Sequence, residues 1–206
     1  MMQRNSLSGL NKRRRALTLA LVAVAIGGAS GCDDPFGLKA TVAVATDTSV
    51  AYAMTGTQAS YPSGLNAATG GVSRIGADIA FDVAFDLTTD SKVRLIPARL
   101  ISPVKTSFGG TVATQQVGLL TPTGTFEAVT KAPGGGYKRD SVVVVGTNQP
   151  VVIEVVSESC QFTLASILYA KIVIDSVNTT TRQIFFRATR NPNCGFKSFQ
   201  PGVPKD

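Results

Sequence analysis

Histidine is absent from all 206 residues, and so is tryptophan. Without imidazole there is no Ser-His-Asp or Cys-His nucleophilic site in its usual form, and no His-liganded metal centre. Helical periodicity is scarce, and no repeat of fixed period stands out. Long apolar runs are missing as well. ALTLALVAVAI, residues 16–26, is uncharged, but at about 1.5 Å per residue it reaches only about half of a roughly 30 Å hydrocarbon core, too short for a permanent span.

Acidic residues are missing before Asp33, whereas Arg4, Lys12, Arg13, Arg14 and Arg15 make the amino terminus positive. A positive end, a short apolar centre and then the small residues of AIGGASG form a secretory signal peptide. The formal charge of +7 therefore overstates the exported part. Five of the twenty basic residues precede Cys32, which leaves fifteen against thirteen acids, a net of +2. That balance is not the footprint of a nucleic-acid binder.

Residues Ala29-Ser30-Gly31-Cys32 resemble the lipobox of bacterial lipoprotein precursors, although Ala29 stands where that family usually has leucine. The resemblance covers only the first 32 residues. It implies cleavage before Cys32, lipidation of that cysteine and a membrane anchor facing the periplasm or the cell exterior. Several acyl chains, each burying CH₂ groups worth about 0.8 kcal/mol, would hold durably. Ordinary signal cleavage with plain secretion is the alternative, since Ala29 and Gly31 also suit a small-x-small cut site. Asp33 and Asp34 follow. In some enteric lipoproteins an aspartate there favours the inner membrane, and a solvated start to a tether is the other reading. The organisation expected is a signal peptide over 1–31, a lipidated cysteine and short tether over 32–38, and one domain over 39–206, long enough to bury a core.

The chain has three cysteines. Lipidation of Cys32 leaves Cys160 and Cys194 as an even pair in an oxidising compartment, so a disulfide is expected. Closing a loop of about 35 residues would add about 3–4 kcal/mol. Two buried free thiols are the alternative.

Patterning is nearly all period two, the sign of half-buried strands. In GADIAFDVAFDL, residues 76–87, Ile79, Phe81, Val83, Phe85 and Leu87 share one face and Asp78, Asp82 and Asp86 the other. The aspartates are read as a wet face. KVRLIPARLI, residues 92–101, continues as a partner with its turn centred near Asp90, Leu87 facing Val93 and Arg94 facing Asp86. Pro97 cannot donate to a ladder, so this strand bends or lies at an edge beyond it. TVAV and SVAYAM are expected around a turn at Thr46-Asp47-Thr48. SVVVV and VVIEVV flank the turn-rich GTNQP and read as covered on both faces, and KIVIDSV with QIFFRA forms a hairpin around NTTT. SYPSGLNAATGG and KAPGGGYK read as loops, and CQFTLASILYA as one or two helical turns. Many short strands separated by turn clusters indicate an all-β, antiparallel β-sandwich, Ig-like or related, with an open β-barrel as second choice.

Chemistry has few candidates. Asp78, Asp82 and Asp86 lie four residues apart, about 13 Å along a strand. That is too far for a glycosidase pair and too dispersed for calcium. SPVK, residues 102–105, matches S-x-x-K, but in a strand the two side chains take opposite faces, and the chemistry needs a helix start. GGGYKRD could present Tyr137, Lys138 and Arg139 to an anion or a sugar, and SYPSGLN could present Tyr61; exposed turns are the plainer reading of both. No cofactor and no metal site is expected, and no enzyme. The expectation is a lipid-anchored cell-envelope protein with a structural or interaction role, its partner an envelope protein or a glycan. A secreted or anchored glycan-binding module is the alternative.

Overall fold

The period-two patterning resolves into antiparallel strands. A computed structural model describes residues 39–76, 81–101, 116–160, 163 and 165–205. In order these give β1 (Ala45–Tyr52), β2 (Pro62–Leu65), β3 (Val72–Arg74), β4 (Val83–Leu87), β5 (Val93–Pro97), β6 (Val117–Leu120), β7 (Lys138–Arg139), β8 (Val143–Val145), β9 (Pro150–Val156), β10 (Ile167–Asn178) and β11 (Gln183–Asn191). One sheet has six strands in the order β1-β11-β10-β9-β6-β7. The other has five, in the order β3-β2-β4-β5-β8. The two form a β-sandwich that does not close into a barrel.

The shared core follows from alternation. Inward residues of β10 (Ala170, Ile172, Ile174) and β11 (Ile184, Phe186, Ala188) meet Val83, Phe85, Val93 and Leu95 of the smaller sheet. Phe85 and Phe186 join the two layers, with ring centroids 4.9 Å apart. Fully burying side chains of this size contributes about 1.5–3 kcal/mol each.

Both sheets also carry an apolar layer on their outer faces. Phe81, Ala84, Ile96, Ala98 and Ile101 cluster on the five-stranded sheet, so Phe81 does not share the inward face of Val83, Phe85 and Leu87 as alternation predicts. Val129, Ala132, Val152, Tyr169 and Phe199 cluster on the six-stranded one. The second layer explains the unbroken apolar run of β9, whose Val151 and Ile153 face the core while Val152 faces outward.

Several expectations hold. Leu87 pairs with Val93 and Asp86 with Arg94. β10 and β11 form the hairpin around residues 179–182, and Cys160 is bonded to Cys194 with their Cα atoms 5.7 Å apart. Pro97 ends β5, followed by a 3₁₀ turn over Ala98–Leu100; β8 pairs only with Val93–Leu95, so no donor is missed there.

Other expectations need correction. There is no turn at Thr46-Asp47-Thr48, because β1 runs straight through them against Thr189, Ala188 and Arg187 of β11. The turn-rich GTNQP carries the chain from β8 in one sheet to β9 in the other. β8 is not covered on both faces, with Val144 46% exposed. SYPSGLN is not wholly a loop: β2 lies within it, because Gly64 lets the Phe81 ring lie against the backbone, where a Cβ would stand 2.9 Å from Phe81 Cγ. CQFTLASILYA supplies the end of a 3₁₀ turn, Glu158–Cys160, and the start of β10.

Candidate functional site

The segment that follows β1 crosses from the six-stranded sheet to the outer face of the other. It is held by Ala53 N donating to Arg182 O at 2.9 Å and Met54 N donating to Phe85 O at 2.8 Å. On the far side, the 3₁₀ turn after β5 is tied down by Arg99, whose Nη1 donates to Asp140 Oδ2 at 2.8 Å. Between these two walls lies a cleft of about 600 Å³, within the range of roughly 300–1,000 Å³ that small-molecule sites occupy. Its floor is the outer face of β4 and β5, with Asp86, Arg94 and Ile96. Met54, Leu100 and Ile101 supply apolar walls, and Tyr61 and Val142 also line it.

Asp86 accepts three hydrogen bonds from neutral donors. Its Oδ1 accepts from Thr55 N at 3.1 Å and Leu87 N at 2.9 Å, and its Oδ2 from Thr55 Oγ1 at 2.8 Å. Two guanidinium groups stand further off, Arg94 Nη1 at 3.7 Å and Arg182 Nη2 at 3.6 Å. These separations exceed good hydrogen-bond distance. The carboxylate is thus buried but compensated, and one positive charge is left over between the three groups.

Tyr61 and Asp86, proposed from separate stretches, are brought together in this cleft. Tyr61 is 40% exposed and packs on Tyr52 with centroids 4.5 Å apart. The wet-face reading of the aspartates is overturned for two of them: Asp82 and Asp86 are both buried, because loop segments fold over that face. Asp82 Oδ2 accepts from Ala67 N at 2.7 Å. Burial outweighs that bond and pushes its pKa up to about 6. Asp78 lies outside the described residues, as do Cys32 and residues 102–105 of SPVK.

Tyr137, Lys138 and Arg139 do not reach the cleft. They belong to the edge of the six-stranded sheet, where the loop reading gives way to the short strand β7. Gly118 allows the Tyr137 ring to lie on β6, since a Cβ there would come within 2.8 Å of Tyr137 Cβ. The Tyr137 hydroxyl donates to Pro133 O at 3.0 Å, and Arg139 is paired with the buried Glu154. Lys138 and Arg139 are both exposed, Arg139 while holding Glu154. Burial, reinforced by the Glu154 charge, pushes the neighbouring Tyr169 hydroxyl up to about 12.

A smaller hollow of about 270 Å³ lies elsewhere on the six-stranded sheet. There Lys171 is buried, its Nζ donating to Phe126 O at 2.6 Å and Val129 O at 2.9 Å and lying 4.1 Å from the centre of the Phe126 ring. Burial lowers its pKa, opposed by the Glu127 carboxylate.

Met54, Leu100, Ile101 and the cleft-facing position of Arg94 do not show in the pattern of single strands. One signal was available: Ile96 is apolar at an outward position of β5, beside Arg94, where simple alternation calls for a polar residue. Among the described residues, no group of three histidines, cysteines or carboxylates could hold a metal ion. No helix among them is long and apolar enough to cross a membrane. Comparison with protein-family models, curated proteins and solved structures finds no match.

Proposed function

We propose that the chain is a lipid-anchored protein of a bacterial cell envelope, held by an acylated Cys32, with an interaction role exerted by binding rather than by catalysis. The observation that carries the anchor is cysteine use. Cys160 and Cys194 are bonded to each other, which leaves Cys32, at the end of the lipobox-like Ala29-Ser30-Gly31, as the one thiol for acylation. The cleft floored by Asp86 and Arg94 is the face through which we read it as binding.

Intact mass of the membrane-extracted product, made in a bacterium that processes lipoproteins, tests the anchor. The expected species begins at Cys32 and carries added acyl mass. An unmodified soluble product starting at or near Cys32 would overturn it. A glycan-binding module is the second reading, favoured by the exposed Tyr61 ring at the same cleft, because an aromatic face is a stacking surface for a sugar.

A further inference from the structure

We propose that the cleft on the five-stranded sheet binds an amphiphilic monocarboxylate, its apolar chain along Met54, Ile96 and Ile101 and its carboxylate on Arg94. The inference rests on reading this cleft as a binding site; it does not depend on the anchor. Charge is the first argument. Asp86 has three neutral donors within 3.1 Å, so its hydrogen bonds depend on neither arginine, and its single charge offsets only one of the two. Arg182 commits its Nε to Thr55 O at 2.7 Å. Arg94 stands 3.7 Å from the carboxylate, and its side chain is 41% exposed, so its donors are offered to the cleft. A guanidinium fork matches a carboxylate with two parallel hydrogen bonds. The two arginines outnumber the one aspartate, so an incoming anion would neutralise the surplus charge.

The second argument is the distribution of apolar surface. Among the described residues, six large hydrophobic side chains are exposed; Tyr61, Leu100 and Val142 line this cleft, and Val144 stands opposite Arg94 in the β5–β8 ladder. Single exposed apolar residues need no explanation, but a contiguous group marks a contact surface. Met54 adds a flexible, polarisable side chain that adapts to an irregular chain. A sugar would need several unpaired polar groups, whereas Asp86 accepts three hydrogen bonds and the hydroxyls of Thr55 and Thr57 are committed to Asp86 Oδ2 and Ala53 O. A cation would meet the arginine surplus.

The test is photocrosslinking of a diazirine-bearing dodecanoate, below its micelle concentration, to the full-length chain in membranes, with the labelled peptides mapped by mass spectrometry. Labelling is expected on peptides containing Met54, Leu100, Ile101 or Val142. Dodecanoate should compete at about tenfold lower concentration than dodecanol, one charge-assisted contact being worth about that factor. Arg94→Gln should reduce labelling by a similar factor and Arg94→Lys by less, with unchanged circular dichroism for both. Equal competition by dodecanol, together with undiminished labelling of Arg94→Gln, would overturn the carboxylate assignment and leave the cleft as a binding site. Protection by maltotriose but not by dodecanol would overturn the amphiphile in favour of a sugar. Absence of label from all four peptides would overturn both this inference and the reading of the cleft.

Discussion

On the outer face of the six-stranded sheet the ammonium of Lys171 lies buried against Phe126 and two backbone carbonyls, whereas on the outer face of the five-stranded sheet the guanidinium of Arg94 faces a cleft of about 600 Å³. Both residues occupy outward positions of central strands, and both lie beside apolar neighbours. The difference lies in what folds over them. Lys171 is a point charge whose shell of water can be replaced by two carbonyls and an aromatic face. Arg94 has a flat fork of donors and, among the described residues, no carbonyl pair directed at it, and the segment that reaches that face bonds Asp86 through Thr55 instead. One face spends its cation on holding a loop to the sheet, and the other keeps its cation available.

That contrast can be pressed at four points. The largest effect is expected from the disulfide, which encloses all of β10 and β11 between Cys160 and Cys194. Replacing both cysteines with alanine should lower unfolding free energy by about 3–4 kcal/mol, read from urea midpoints. An unchanged midpoint would mean that the six-stranded sheet is held by its packing alone.

Asp82, immediately before β4, comes next. Its folded pKa of about 6 exceeds the usual 3.8 because of burial. The folded state therefore binds the proton more tightly than the unfolded state, and the stability this contributes is fully present below about pH 4 and lost as pH rises through about 6. The change is at most about 3 kcal/mol. Asp82→Asn should flatten this part of the profile between about pH 4 and 7; a profile of the same slope in the variant would assign it to other groups.

Lys171→Met keeps the apolar stem but leaves the carbonyls of Phe126 and Val129 without their donor. A loss of about 1–3 kcal/mol is expected, with faster amide hydrogen exchange over residues 126–132. If exchange there is unaltered, the lysine is not what holds that loop. The smallest effect should come from Arg94→Gln, a change of no more than about 1 kcal/mol in thermal unfolding. A much larger loss would make Arg94 a structural residue and erase the contrast between the faces.

Much of the sandwich is legible in the chain. The odd-spaced connection between Leu87 and Val93 sets the β4–β5 register, and with it the Asp86–Arg94 pair. The apolar alternation of Ile172, Ile174, Ile184 and Phe186 sets the β10–β11 hairpin and its inward face. Alternation separates two faces, however, and does not say that the second is dry. Asp82 and Asp86 read as solvated because the segments that bury them, 53–61 and 65–71, lie elsewhere in the sequence. β2 is hidden because Pro62, Ser63 and Gly64 carry turn composition, and only the approach of Phe81 gives Gly64 its reason. The cleft itself is a product of connections, as such sites often are, and only Tyr61 and Asp86 of its lining stand out in the sequence as site candidates.

The disulfide has a mechanical consequence as well. Asn193, next to Cys194, accepts from Thr41 N at 2.9 Å and Val42 N at 3.0 Å through its side-chain oxygen, and its amide nitrogen donates to Val42 O at 2.8 Å. Beyond this clamp, Val44 N donates to Gly202 O at 2.8 Å. Tension entering through residues 39–42 thus meets side-chain bonds first, then a bridge to the carboxy-terminal segment, then the eight-residue β1 ladder. The load passes through Asn193 into a covalent crosslink before it reaches the hydrophobic core. A domain pulled from its amino-terminal side would load these bonds and then the β1–β11 ladder, while the Cys160–Cys194 crosslink limits how far the chain that holds β10 and β11 can extend.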